Sequence, residues 1–151
     1  MAQPIRLFIA QPLAEAATVT LSDAQARYTG TVMRRGMGDP ALLFNGRDGE
    51  WLAHITATRR DAVTLTVQHQ TRRQEAETDL WLVFGLLKRD ATDLVVQKAT
   101  ELGASAILPA FTDRTNAARV NEERLLAIAT EAAEQCERLT VPIIHPPRQL
   151  A

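Results

Sequence analysis

The feature that most constrains this chain is a single change in hydrophobic period. Up to about residue 70, apolar residues alternate with polar ones over short runs, as in Trp51, Ala53, Ile55 and Ala57, or Val63, Leu65 and Val67. Alternation puts every second side chain on one face, the signature of half-buried strands. From residue 80 onward, a near-continuous apolar run, 80–86, precedes apolar residues at helical spacing, Ala91, Leu94, Val95, Ala99 and Leu102. That succession suits strands connected by crossover helices. Residues 71–78 between them are polar and carry no apolar period. The expectation is therefore two modules, 1–73 and 79–151, divided in that stretch.

Within the first module, strands are expected at 5–9 and 19–21. Ser22 then caps a helix with Gln25 as its capping-box partner. This helix is expected to run to about Arg35, where Gly36 and Gly38 stop it. Asn45-Gly46 and Asp48-Gly49, between apolar 41–44 and 50–58, signal a hairpin. Short strands around one helix predict a small barrel. In the second module, strand 80–86 is expected to be covered on both faces. Asp90 caps a helix that Gly103 ends, and 106–108 is another strand. A helix from Asn121 to about Cys136 turns Leu125, Ile128, Ala129 and Ala132 inward, and 141–144 is a third strand. This order makes an α/β sheet with right-handed crossovers, left with an uncovered apolar edge.

Composition narrows the function classes. The longest uncharged apolar run, 80–87, is far below the roughly 20 residues of a membrane span. The N-terminus has no secretory pattern, so a cytoplasmic protein is expected. One cysteine, Cys136, excludes an internal disulfide, and it reads as a buried small hydrophobe rather than a nucleophile. His54, His69 and His145 have no metal-ligand spacing, so no metal is expected. Net charge is −1, but residues 1–73 hold nine arginines against six acids, whereas 74–151 hold eight bases against twelve. The first module is thus the better suited to phosphate, unless the asymmetry is chance.

Several local motifs admit both a functional and a structural reading. Arg34 and Arg35, at a helix end beside a glycine turn, suit a phosphate strand, or else the helix dipole and last carbonyls. Lys88-Arg89 stands between a strand and a helix start, at the edge where α/β proteins bind ligands. It is a cationic contact for RNA or substrate, or a solvated helix start. Lys98 and Glu101 lie one turn apart, as do Gln135 and Arg138, and simple helix stabilisation accounts for either pair. Phosphate loops, nucleophile elbows and histidine-acid pairs are absent from the sequence. The residues alone thus specify two modules with an RNA face, but no reaction.

An ordered set of segments adds a resemblance. Arg6-Leu7-Phe8, Val32-Met33-Arg34 with Gly38-Asp39, and Phe44-Asn45-Gly46 lie in the first half. Residues 97–103 (Gln-Lys-Ala-Thr-Glu-Leu-Gly), Pro109, Arg114, residues 131–135 (Glu-Ala-Ala-Glu-Gln), Arg138 and Val141-Pro142 follow. Together they resemble the RsmE family over nearly the whole chain. The resemblance implies an α+β fold: an N-terminal PUA-like β-barrel that grips RNA, then the first part of an α/β SPOUT domain, a knotted Rossmann-like methyltransferase. It implies S-adenosylmethionine-dependent N3-methylation of one uridine of 16S ribosomal RNA in the small subunit, by a homodimer.

Carried over by position, Arg34, Arg35 and Tyr28 look like RNA contacts of the barrel. Lys88, Lys98, Glu101, Arg114, Gln135 and Arg138 match polar positions of the catalytic domain. Tyr28 stands where the family usually has His, and Glu137 where it usually has Gly. The family's Gly-Pro-Glu-Gly-Gly loop and Arg-Thr-Glu-Thr-Ala segment, which hold the methyl donor, do not occur here. This chain alone is therefore expected to bind no donor and transfer no methyl group. A non-enzymatic RNA-binding module and a truncated fragment that docks on a partner stay open as alternatives.

Overall fold

The computed structural model describes residues 3–60, 62–115 and 119–150. It comprises two compact units, Met1–Glu75 and Ala76–Ala151. Unit 1 contains β1 (Ile5–Phe8), β2 (Thr18–Thr20), α1 (Asp23–Arg27), β3 (Pro40–Phe44), β4 (Glu50–Arg59) and β5 (Ala62–Arg72). The strand order is β1-β3-β4-β5-β2, with β1 parallel to β3 and every other pair antiparallel.

Alternate residues of all five strands meet in one core: Ile5 and Leu7, Val19, Ala41 and Leu43, Ala53 and Ile55, then Val63, Leu65 and Val67. Each fully buried Leu, Ile or Val contributes roughly 1.5–3 kcal/mol. A one-residue slip would turn this set outward, so the pattern itself fixes register. Register shifts between β4 and β5 at Glu50/Trp51, Leu52/Ala53 and Ile55/Ala57 bend the two long strands around that core. The Asn45–Asp48 turn is held by its own side chains. The Asn45 Oδ1 accepts from the Arg47 and Asp48 amides, and Asp48 Oδ2 accepts from Asn45 Nδ2 at 2.6 Å and from the Leu13 amide at 2.9 Å.

The helix after Ser22 differs from expectation. The capping box forms, but α1 ends at Arg27, and Tyr28–Val32 form a π-helical turn closed by the Met33 amide on the Tyr28 carbonyl. Thr29, Gly30, Thr31 and Val32 are weak helix formers, so the regular helix gives way here, and Thr29 is buried in the wider turn. Arg34 then takes a left-handed conformation, φ 50°.

Unit 2 contains β6 (Trp81–Gly85), α2 (Arg89–Glu101), β7 (Ala106–Phe111), α3 (Glu122–Gln135), β8 (Ile143–Ile144) and β9 (Arg148–Gln149). The strands are parallel, and β7 is central: β6 pairs along one side, and β8 and then β9 along the other. Both helices pack on one face, where Val96, Ala99, Leu125 and Ala129 meet Leu82, Phe84, Ile107 and Ile144.

Several expectations are corrected here. Cys136, expected to be buried, is exposed where α3 ends. Strand 80–86 is not covered on both faces: Trp81 and Val83 are about half exposed, and Trp81 stacks on His145 at 4.9 Å. The uncovered apolar surface is thus a face rather than an edge, because α2 and α3 share one side. In α2 the inward stripe is Thr92, Val96, Ala99 and Thr100, while Leu94 and Leu102 point outward. Small side chains let the helix approach closely, and the Thr100 hydroxyl is satisfied by the Val96 carbonyl. Lys88, not Asp90, is the N-cap of α2, with Asp90 in its first turn. Asn121 caps α3 by accepting from the Arg124 amide at 3.0 Å.

Candidate functional site

In unit 1, the residues expected to meet RNA cluster around the π-helical turn. Tyr28 is its first residue and is 39% exposed. Arg34 is exposed, and its side chain makes no ion pair or hydrogen bond among the described residues. The two arginines do not act as a parallel pair at a helix end. The left-handed Arg34 separates them, and Arg35 turns back so that Nη2 donates to the Gln3 carbonyl at 2.7 Å. Its Nε–H is buried without a partner. The following turn is fixed by Gly38, whose φ of 85° favours glycine, and by Asp39, which accepts from the Gly36 amide at 2.9 Å.

Unit 2 divides the remaining candidates between opposite ends of its sheet. β6 and β7 run parallel with Gly85 beside Ala110, so Lys88 and Arg114, each three residues past its strand, share the carboxyl edge. Both are exposed. Lys98, Glu101, Gln135 and Arg138 lie at the other end. Lys98 Nζ and Glu101 Oε2 pair at 2.8 Å on the surface, an arrangement worth a few tenths of a kcal/mol. Gln135 ends α3, and with Glu101 it borders a groove between α2 and α3 of about 580 Å³.

Arg138 does not share an exposed face with Gln135. It is half-buried, and its Nη1 donates to the Thr100 and Ala104 carbonyls at 2.8 and 2.9 Å. Its Nη2 engages Glu77 and Thr140. Burial pushes its pKa below the ordinary arginine value. Glu137, at φ 62°, supplies the left-handed residue after α3 that throws Arg138 back across the sheet.

Sequence reasoning placed Lys88-Arg89 at the carboxyl edge but missed Asp93, Arg119 and Arg124. A second cavity there, about 370 Å³, is lined by Leu86, Leu87, Arg89, Asp93, Arg119 and Arg124 among others. Arg124 and Asp93 form an ion pair, with Nε to Oδ1 at 3.2 Å. They are 31 residues apart on different helices, so no spacing rule could have joined them.

A family model for the RNA methyltransferase domain matches residues 74–151, and one for the RNA methyltransferase PUA domain matches 21–68. A curated relative from Rickettsia conorii, a ribosomal RNA small subunit methyltransferase E, is 37% identical over 93% of this chain. The chain belongs to the RsmE family. A second RsmE relative, from Synechocystis, is 33% identical over 94% of the chain. The RsmE structure from Neisseria gonorrhoeae bound to S-adenosyl methionine superposes with a TM-score of 0.87 at 26% identity over 97% of the chain. The fold is thus a PUA-like barrel followed by an α/β methyltransferase fold. The chain spans 58% of the Rickettsia protein, 47% of the Synechocystis protein and 63% of the Neisseria chain.

The methyl donor implied by the RsmE family carries a carboxylate, a sulfonium cation and an adenine. Neither the α2/α3 groove nor the carboxyl-edge cavity, as its described residues line it, fits that set. The α2/α3 groove is lined by Asp90, Asp93, Glu101 and Glu131, and its one guanidinium, Arg124, is already engaged by Asp93. Only the neutral side-chain amides of Gln97 and Gln135 remain there to meet the donor's carboxylate, among four acids. The carboxyl-edge cavity presents Arg89, Arg119 and an Arg124 already paired with Asp93, an excess of positive charge that disfavours a sulfonium.

Proposed function

We propose that this chain is the RNA-engaging part of an enzyme that transfers a methyl group from S-adenosylmethionine to N3 of a uridine in 16S ribosomal RNA of the small subunit. The enzyme works in the cytoplasm as a homodimer. The observation that carries this reading is the likeness, over 97% of the chain, to an RsmE structure bound to S-adenosyl methionine. The basic unit 1 and the exposed carboxyl-edge cations of unit 2 support it.

In this reading Tyr28 stacks on a base, Arg34 and Arg35 hold backbone phosphate, and Lys88 and Arg114 face the substrate. Lys98, Glu101 and Gln135 shape the opposite end. Arg138 is a positioning residue, anchoring the α3–β8 connection to the end of α2. No residue of this chain is assigned as the base for the N3 proton, and the donor is held outside these 151 residues.

The test is RNA binding and donor binding by the same purified chain. A small-subunit ribosomal RNA fragment is expected to bind with strong salt dependence, and Arg34→Ala with Arg35→Ala to weaken it about tenfold. Titration calorimetry with S-adenosylmethionine is expected to show no heat. Absent RNA binding would refute the reading, and micromolar donor binding would refute the placement of the donor outside. The misfit of both cavities favours a second reading, an RNA-binding module without chemistry, which methyl incorporation by the chain would exclude.

A further inference from the structure

We infer that unit 1 holds a dedicated phosphate seat, separate from Arg34, between α1, the π-helical turn and the β4–β5 connection. A cavity of about 380 Å³ there is lined by Arg27, Arg35, Arg59 and Arg60, with Asp23 and Thr31 on its wall. α1 supplies Arg27, the segment after the π-helical turn supplies Arg35, and the end of β4 and the residue after it supply Arg59 and Arg60; among the described residues one carboxylate, Asp23, lines the cavity with these four cations. Like charges gathered in excess of counter-charge cost free energy, unless an anion offsets them.

The surrounding hydrogen bonds leave these donors available. Among the described residues, the side chains of Arg27, Arg59 and Arg60 make no ion pair or hydrogen bond. Asp23 pairs with none of them. Arg35 is tied by one Nη2 bond to the Gln3 carbonyl, while its Nε–H is buried without a partner. A buried donor without a partner costs about 1–3 kcal/mol, a deficit that an anion drawing the Arg35 guanidinium further into the cavity would relieve. Single π turns recur at functional sites. Here the turn carries Arg35 back beside α1, where a regular helix would have carried it onward.

The ligand chemistry is a tetrahedral phosphate oxyanion. Guanidinium forks match its oxygens in bidentate fashion, and several forks can share its three or four oxygens. An RNA phosphodiester is the source assigned, resting on the proposal that unit 1 binds RNA. The seat therefore fixes the register of the strand that Arg34 and Tyr28 touch, and it carries no base information of its own.

Two arms on the 151-residue chain test this. In the first, inorganic phosphate is titrated while arginine Nε–Hε resonances are followed by NMR. Shifts of Arg27, Arg35 and Arg59 that saturate together are expected, and they should vanish in Arg27→Gln/Arg59→Gln. In the second, single-stranded RNA of mixed sequence is bound at several salt concentrations. The same double variant should lose about tenfold in affinity, with the slope of log K against log salt reduced by about 0.7 for one lost phosphate. Gly30→Glu, at a position where a Cβ meets open space, should have the same effect while keeping every arginine. Arg73→Gln should leave the seat's phosphate shifts unchanged. Thermal melts followed by circular dichroism establish that the variants fold.

If RNA binds wild type and the double variant with equal affinity and slope, the RNA assignment is overturned, whether or not free phosphate shifts the arginines. If neither phosphate shifts the resonances nor the variants change RNA binding, the seat itself is overturned. If wild type binds no RNA at all but phosphate still saturates the cluster, the reading of unit 1 as an RNA binder fails while the anion seat stands.

Discussion

Replacing Glu50 with alanine should unfold the barrel before any surface change does. Glu50 opens β4 and is 5% exposed. Its Oε2 accepts from Arg6 Nε at 2.7 Å, with Arg6 and Glu50 side chains 8% and 6% exposed, and Arg72 approaches to 3.8 Å. Oε1 accepts from the Thr71 hydroxyl at 2.9 Å, and the Arg6 guanidinium lies 4.0 Å from the centre of the Phe44 ring. One carboxylate thus ties β1 and β5 to β4. Removing one partner of a buried pair costs roughly 3–5 kcal/mol, because the other charge stays buried. With a urea slope near 2 kcal/mol/M, the midpoint should fall by roughly 1.5–2.5 M. Replacing both residues, Arg6→Met with Glu50→Met, should recover most of this, since an apolar pair of similar volume needs no counter-charge.

The assay is urea denaturation followed by tryptophan fluorescence. Trp51 lies in unit 1 and Trp81 in unit 2, so a Trp81→Phe background makes Trp51 the sole reporter of the barrel. If Glu50→Ala shifted the Trp51 transition by less than about 1 kcal/mol, or if the double variant were less stable than the single, the buried-pair argument would be wrong.

Three further outcomes are expected. The Asp48 carboxylate is held below its ordinary pKa by the Leu13 amide first and then by Asn45 and Arg47, so its contribution is present above about pH 4 and is lost as pH falls through the depressed value. Urea midpoints between pH 5 and 2.5 should therefore fall less steeply in Asp48→Asn than in wild type; equal slopes would refute the assignment. Gly49→Ala, at φ 81° with a Cβ placed 2.2 Å from the Arg72 carbonyl oxygen, should cost at least about 2 kcal/mol by thermal denaturation. Conversely, position 137 is left-handed at φ 62°, so Glu137→Gly should be more stable than Glu137→Ala, which loses the same side-chain interactions, by about 1 kcal/mol in the Trp81 transition.

The sequence by itself determined the strands of the barrel, the Ser22 capping box, the hairpin at Asn45-Gly46 and the alternation of strands and helices after residue 80. Each rests on residues close in sequence: an alternation of period two, a hydroxyl three residues from an amide, or a glycine at a turn. The family could be read there too, because Lys98-Ala99-Thr100-Glu101 and Glu131-Ala132-Ala133-Glu134 are contiguous.

Tertiary structure decided the rest. Only packing shows that Thr92 and Thr100 face inward while Leu94 and Leu102 do not, because the choice depends on how closely a helix can approach its sheet. Weak helix propensity at 29–32 could have warned of a break, but the π turn and the burial of Thr29 within it appear only in the folded unit. Arg138 spans 61 residues to Glu77 and 38 to Thr100, and the cluster of Arg27, Arg35, Arg59 and Arg60 forms only when the β4–β5 connection lies beside α1. Charge recognition acts through space, so the residues that assemble a site are legible in sequence only when the chain brings them together over a single turn.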